Sequence, residues 1–256
     1  MVRIRKLPRK PLIEAILELK WRVDPNKGDP NYSIFLGRLY NLLMSKYTYH
    51  EQLPTSMIPE QMAVNIAQHR FRVDEDKWPL VQVGPGLVTV NDTDNYTWED
   101  FEVRANDVVK NIFKAYPDSN NFKVSSLVLR YINADDFDYQ DNDVFAYLRD
   151  KLKVNVVIPQ QLFDSTAVGA LPKGFSFQSS YLSQKPKGTV ILKFATGERR
   201  KKRSIVWETV VQSMNEELPS LPRGFKSWIA SAHAITDDWF FKLIEGELER
   251  KFTDAD

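Results

Sequence analysis

Acid–base chemistry in this chain would have to start from one of three histidines, His50, His69 and His233, because histidine is the side chain that ordinarily changes charge near neutrality. His233 is the catalytic candidate. Asp237 follows it by four residues, so on a helix the carboxylate could orient the imidazole. The competing reading is a border residue at the rim of an apolar helix stripe, and it needs fewer assumptions. No serine sits in a nucleophile elbow and no paired-histidine metalloprotease helix occurs. His50 falls in a predicted loop and His69 in a predicted strand, each without a partner close in sequence.

Two charged stretches are the other candidates. Asp135, Asp136 and Asp138, followed by Asp141 and Asp143, could offer oxygen ligands to a divalent cation. A calcium loop also wants a central glycine and a closing glutamate in register, and neither is there. Asp141 or Asp143 is better placed to cap the next helix, and Asp92 and Asp94 have the same explanation ahead of Trp98. The second stretch is Arg199-Arg200-Lys201-Lys202-Arg203 at a predicted hairpin tip. Five successive cations could grip nucleic-acid phosphates, with Trp207 as the nearest aromatic. A solvated tip that discourages edge aggregation is the simpler reading.

Gly84-Pro85-Gly86 ahead of a helix invites a phosphate-loop reading. Its spacing matches no nucleotide motif, and no Lys-Ser or Lys-Thr pair follows. No cofactor is expected. The chain has no cysteine, which excludes disulfides, thiolate metal sites and thiol nucleophiles and fits a reducing, cytoplasmic setting. A net charge of +1 exerts no global pull on nucleic acid or membrane. No apolar run approaches the ~20 residues that cross a bilayer, so no membrane partner is expected.

The elements that must position these residues follow from periodicity. Residues 13–23 alternate, with Ala15, Leu17, Leu19, Trp21 and Val23 on one face and Glu14, Glu18, Lys20 and Arg22 on the other. A helix capped by Ser33 follows, then a strand over 62–73. A tight strand–turn–strand comes next around Pro85, and then a helix capped by Thr97. Residues 122–133 are apolar on both faces, which places that strand inside a sheet. A short helix over 142–152 leads into an unreadable stretch, 154–172. Strands over 174–183, 188–196 and 204–213 follow, with turns near Pro186 and Gly197, and a helix over 225–250 closes the chain. Trp98, Trp228 and Trp239 fall on helix stripes as core residues, whereas Trp78, in a loop, could mark a contact surface.

Residues 1–120 and 121–256 rhyme in pattern. The fold expected is therefore α+β: two pseudo-repeated β-α-β-β-α units in one body, with a largely antiparallel sheet and helices packed on one face.

Several stretches also carry a resemblance. They are Pro11 to Leu19, Val81 to Phe101, Leu129-Arg130-Tyr131-Ile132-Asn133, and Ala232-His233 with Ile235, Phe240 and Leu243. In these the chain resembles a sporadically distributed, full-length prokaryotic family of about this length with no established activity. The resemblance implies a cytoplasmic bacterial or archaeal protein from a patchily inherited gene, with an accessory role in defence or a toxin–antitoxin-like pair. It supplies no catalytic residues. The function expected is a non-enzymatic interaction protein that binds a partner protein or itself. The alternatives are nucleic-acid binding through residues 199–203 and an enzyme using His233 and Asp237.

Overall fold

Alternation in LIEAILELKW makes Leu12–Trp21 the first strand, β1. The computed structural model describes residues 7–24, 26–93 and 95–254; Asp94 lies outside them. Helix α1 (Tyr32–Leu43) is followed by four strands, β2 (Tyr49–Gln52), β3 (His69–Arg72), β4 (Leu80–Gly84) and β5 (Leu87–Asp92), and by helix α2 (Trp98–Ala115). Then come β6 (Val124–Asp136) and α3 (Val144–Leu152), followed by β7 (Ser176–Gln184), β8 (Lys187–Arg199) and β9 (Lys202–Met214). Helices α4 (Phe225–Ile244) and α5 (Glu247–Thr253) close the chain. The strands form one antiparallel sheet in the order β2-β3-β4-β5-β1-β6-β9-β8-β7. Among the described residues no helix is long and apolar enough to cross a membrane.

The register fixes which face is buried. Val90, Leu17, Leu129, Val211 and Val190 lie opposite one another across five strands and are all buried. Phe35 and Leu39 of α1, Phe101, Val108 and Ile112 of α2, and Phe225, Trp228 and Ile229 of α4 pack into the cluster that contains this row. A second cluster joins Leu148 and Leu152 of α3, Ile244 of α4 and Leu248 and Phe252 of α5 to Phe194, Ile205 and Trp207. Trp207 is an even number of residues from Val211 on β9, so both clusters use the same face of the sheet. Burying each such large apolar side chain stabilises the fold by about 1.5–3 kcal/mol before entropy is counted. Asp29 pins one corner: its carboxylate accepts from Trp21 Nε1 (2.9 Å), Tyr116 Oη (3.0 Å) and the Asn31 amide (2.9 Å).

The α+β class and the large antiparallel sheet are as the pattern predicts. Between their helices the two halves carry four and three strands, where two or three each are predicted. The predicted 62–73 strand is only four residues long. Asn65 sits at φ +63°, and its amide donates to Pro85 O (2.7 Å), so residues 63–67 run as irregular chain against the β4–β5 turn. Gly197 lies inside β8, and Arg200 and Lys201, both at positive φ, make the turn instead. Ser33 is inside α1, whose N-cap is Asn31. The closing helix breaks at Gly246 (φ +103°), a conformation that ends α4 and starts α5. Residues 153–175 hold one 3₁₀ turn, Gln160–Leu162.

Pro85 and Gly86 form the β4–β5 turn, with Gly86 at φ +77°. Gly84 is needed for a different reason, close approach. A Cβ there would sit 1.9 Å from Ile66 O, a backbone atom that cannot swing aside. Gly84→Ala is expected to lower stability by about 3 kcal/mol, read as a fall in the urea midpoint. Gly37→Ala in α1, where nothing lies within 4 Å, is the control and should leave stability level or raise it by up to about 1 kcal/mol.

Candidate functional site

His233 sits on α4 and is half-buried between three elements. Its ring stacks on Trp98 at the start of α2, with centroids 3.7 Å apart and planes 10° apart. Its Nδ1 lies 3.0 Å from Tyr131 Oη of β6, which lies 2.7 Å from Tyr96 Oη. Burial pushes the His233 pKa down to about 4. The imidazole is therefore neutral at pH 7. Tyr96, Tyr131 and His233 form a hydrogen-bonded chain whose direction is set by which ring nitrogen of His233 carries the proton. Burial holds both phenols above their ordinary pKa, and Asp237 adds to this in each case. Tyr131 thus holds one of the two His233 nitrogens. The arrangement ties α2, β6 and α4 together.

The two charged stretches meet each other. Arg203 Nη1 donates to both carboxylate oxygens of Asp138 (2.9 and 3.1 Å), Lys202 lies 3.7 Å from Asp136, and Arg199 Nη1 donates to Ala134 O (2.9 Å). Arg200 and Lys201 are exposed at the turn. Asp135 is buried, accepting from Tyr147 Oη (2.7 Å) and from Lys251 of α5. Asp143 caps α3 through the amides of Phe145 and Ala146. Among the described residues no group of three or more potential ligands could hold a metal ion. Trp207, the aromatic expected near the tip, is fully buried in the core. Asp92 does not cap α2; it is buried and paired with Arg104, while Thr97 makes the cap.

The face of the sheet opposite the core carries charges already matched within it. Glu18 pairs with Lys20 (2.7 Å), Glu51 with Arg72 (3.0 Å) and Arg70 (3.6 Å), and Glu208 lies 3.8 Å from both Arg130 and Lys193. Glu14 accepts from Asn91 (2.7 Å), and desolvation raises its pKa against the pull of that bond and of Arg130 and Arg70.

The two sheet edges differ. β2 is four residues long and has one carboxylate, held by β3. β7 runs nine residues, SFQSSYLSQ, without a charge or a proline. Phe177, Tyr181 and Leu182 are 37%, 50% and 85% exposed there. Trp239 meets Tyr181 edge-on at 5.5 Å and lines an open depression of about 570 Å³ with Lys185, Ala230 and Ala234. The uncharged run was legible in the sequence, but its position at an edge was not. Sequence reading also missed the pairing of His50 with His69. His50 lies in β2, not a loop, and the β2–β3 register brings the two rings together.

No family model matches the chain, and no curated protein matches it. Among solved structures, Methanococcus jannaschii TBP aligns at 13% identity over 89% of this chain and 99% of that chain, with a TM-score of 0.24. A superposition that loose assigns neither fold nor function.

His233 makes stability depend on pH. Its folded-state pKa is about 4 against an ordinary 6.5, so the unfolded chain binds this proton first as pH falls. The contribution is complete above about pH 6.5 and is lost towards pH 4, up to about 3 kcal/mol in all. The His69 pKa, lowered by burial and by His50, acts in the same direction. The urea midpoint should fall across that window, and His233→Gln should flatten the fall. An unchanged slope in that variant would assign the effect elsewhere.

Proposed function

We propose that this chain is a non-enzymatic interaction protein that works as a dimer, with β7 of one copy pairing antiparallel to β7 of a second. One observation carries the reading: a nine-residue free edge with no charge, no proline and exposed Phe177, Tyr181 and Leu182. Proteins that stay monomeric usually blunt such an edge with charge, proline or short length. An uncharged strand meets a second copy of itself without like-charge repulsion, whatever the register. Strand pairing alone falls short of the roughly 800 Å² per partner of a stable interface. Residues 153–175, which lead into β7, carry further exposed apolar side chains, including Val157, Leu162 and Val168, that can supply the remainder.

The pseudo-repeat belongs to the same reading. β1 and β6 pair at the centre, and the other strands of each half extend outward from them, which is the layout two related halves would produce.

At micromolar concentration the protein should sediment at twice its 29.7 kDa chain mass. Ser180→Lys combined with Leu182→Lys, both at exposed positions, should return it to monomer with an unchanged circular dichroism spectrum. A monomeric native protein would overturn the reading, as would a variant that still dimerises. Capture of an extended peptide by a monomeric chain would reassign the edge to a foreign partner.

Nucleic-acid binding at residues 199–203 is the second reading, supported by exposed Arg200 and Lys201. Against it stand the bonds from Arg199, Lys202 and Arg203 to Ala134, Asp136 and Asp138. It requires salt-dependent affinity that vanishes when all five cations are neutralised. Retained affinity in that variant would dismiss it.

A further inference from the structure

His50 and His69 meet at the end of the sheet farthest from β7. His50 Nε2 lies 3.0 Å from His69 Nδ1, and the ring centroids are 5.2 Å apart. The backbone fixes this meeting. Gln52 pairs with His69 and His50 with Phe71 in the β2–β3 register, so both imidazoles share the face that carries the core. Aromatic side chains back His50: Tyr40 of α1 lies 5.3 Å from its ring, and Phe71 lies 5.5 Å from it. His50 is exposed and His69 half-buried, so the pair opens to solvent on one side.

From this geometry we infer that His50 and His69 form a two-imidazole site for a divalent transition-metal ion at the β2 edge. Two nitrogens bound to one ion with bonds of about 2.0–2.1 Å stand about 2.9 Å apart at a right angle and about 3.4 Å apart at the tetrahedral angle. The observed 3.0 Å fits adjacent positions of a square-planar or octahedral ion. Imidazole ligands and the usual order of divalent affinities favour Cu²⁺ and Ni²⁺ over Zn²⁺. Oxygen-preferring Mg²⁺ and Ca²⁺ have no carboxylate to meet there, because Glu51 points to the other face and holds Arg70 and Arg72.

Without metal, one facing nitrogen carries a proton and donates to the other. Ligation needs both lone pairs. The shared proton therefore moves to the outer nitrogen of its own ring, and none is lost from the pair. The lone pairs must also turn from facing each other to converging beside their axis. His50, exposed on the edge strand, makes that rotation against Tyr40 and Phe71. No third side chain completes the shell among the described residues, so water fills it and one face of the ion stays open to an outside ligand.

The test is calorimetric titration of untagged protein with Ni²⁺, and separately with Zn²⁺. One Ni²⁺ per chain is expected, bound more tightly than Zn²⁺. His50→Asn and His69→Asn should each abolish the Ni²⁺ heat. His233→Asn should retain it, because His233 lies elsewhere. His50→Asn changes an exposed residue, so its thermal midpoint without metal should match the native one, and only the native midpoint should rise with Ni²⁺. No one-to-one binding in the native chain would sink the inference, as would binding that survives His50→Asn. The sedimentation test at β7 is independent, so either idea can fail alone.

Discussion

The antiparallel pairing of β1 with β6 is the constraint from which every other position is set. Leu17 faces Leu129 and Leu19 faces Leu127, four fully buried side chains drawn from distant parts of the chain. Closing so long a loop costs entropy that no local hydrogen bond offsets. The compensation comes from apolar burial on the core face and from the β5 and β9 ladders that flank the pair. A slip of one residue would turn Glu14 and Glu18 into the core and Leu17 and Leu19 out of it. The register is therefore specified by desolvation as much as by hydrogen bonding. The placement of β7 and β2 at the two edges follows from it.

The balance of charge has a structural counterpart. Opposite charges meet across strands on the open face and between the acidic loop and the basic tip. Exposed pairs of this kind contribute at most about 1 kcal/mol each. Their larger consequence is electrostatic: each pair cancels charge locally. What remains unusual on this surface is apolar or hydrogen-bonding. Both proposed contacts, a strand edge and an imidazole pair, work at short range.

Buried polar groups follow the same economy. Asp29 and Asp135 each accept from side chains of more than one element, and Asp92 is paired with Arg104 of α2. Removing a donor would leave a desolvated acceptor, which costs more than the bond itself contributes. Tyr96, Tyr131 and His233 form the neutral version of this device. They tie helices α2 and α4 to the sheet through β6.

Local features were legible in the sequence. Alternation in residues 13–23 marked β1, two-sided apolarity marked β6 as interior, Thr97 and either Asp141 or Asp143 marked two helix starts, and Gly84-Pro85-Gly86 marked the turn. Each depends on neighbours within a few residues, where propensity and period act directly. Only the tertiary structure decided that Asp138 would meet Arg203, that Tyr131 would hold a His233 nitrogen, that two histidines from separate strands would touch, and that SFQSSYLSQ would be an edge. Those outcomes depend on strand order and register, which are set by the burial of side chains far apart in sequence. No local pattern encodes which strand will stand last.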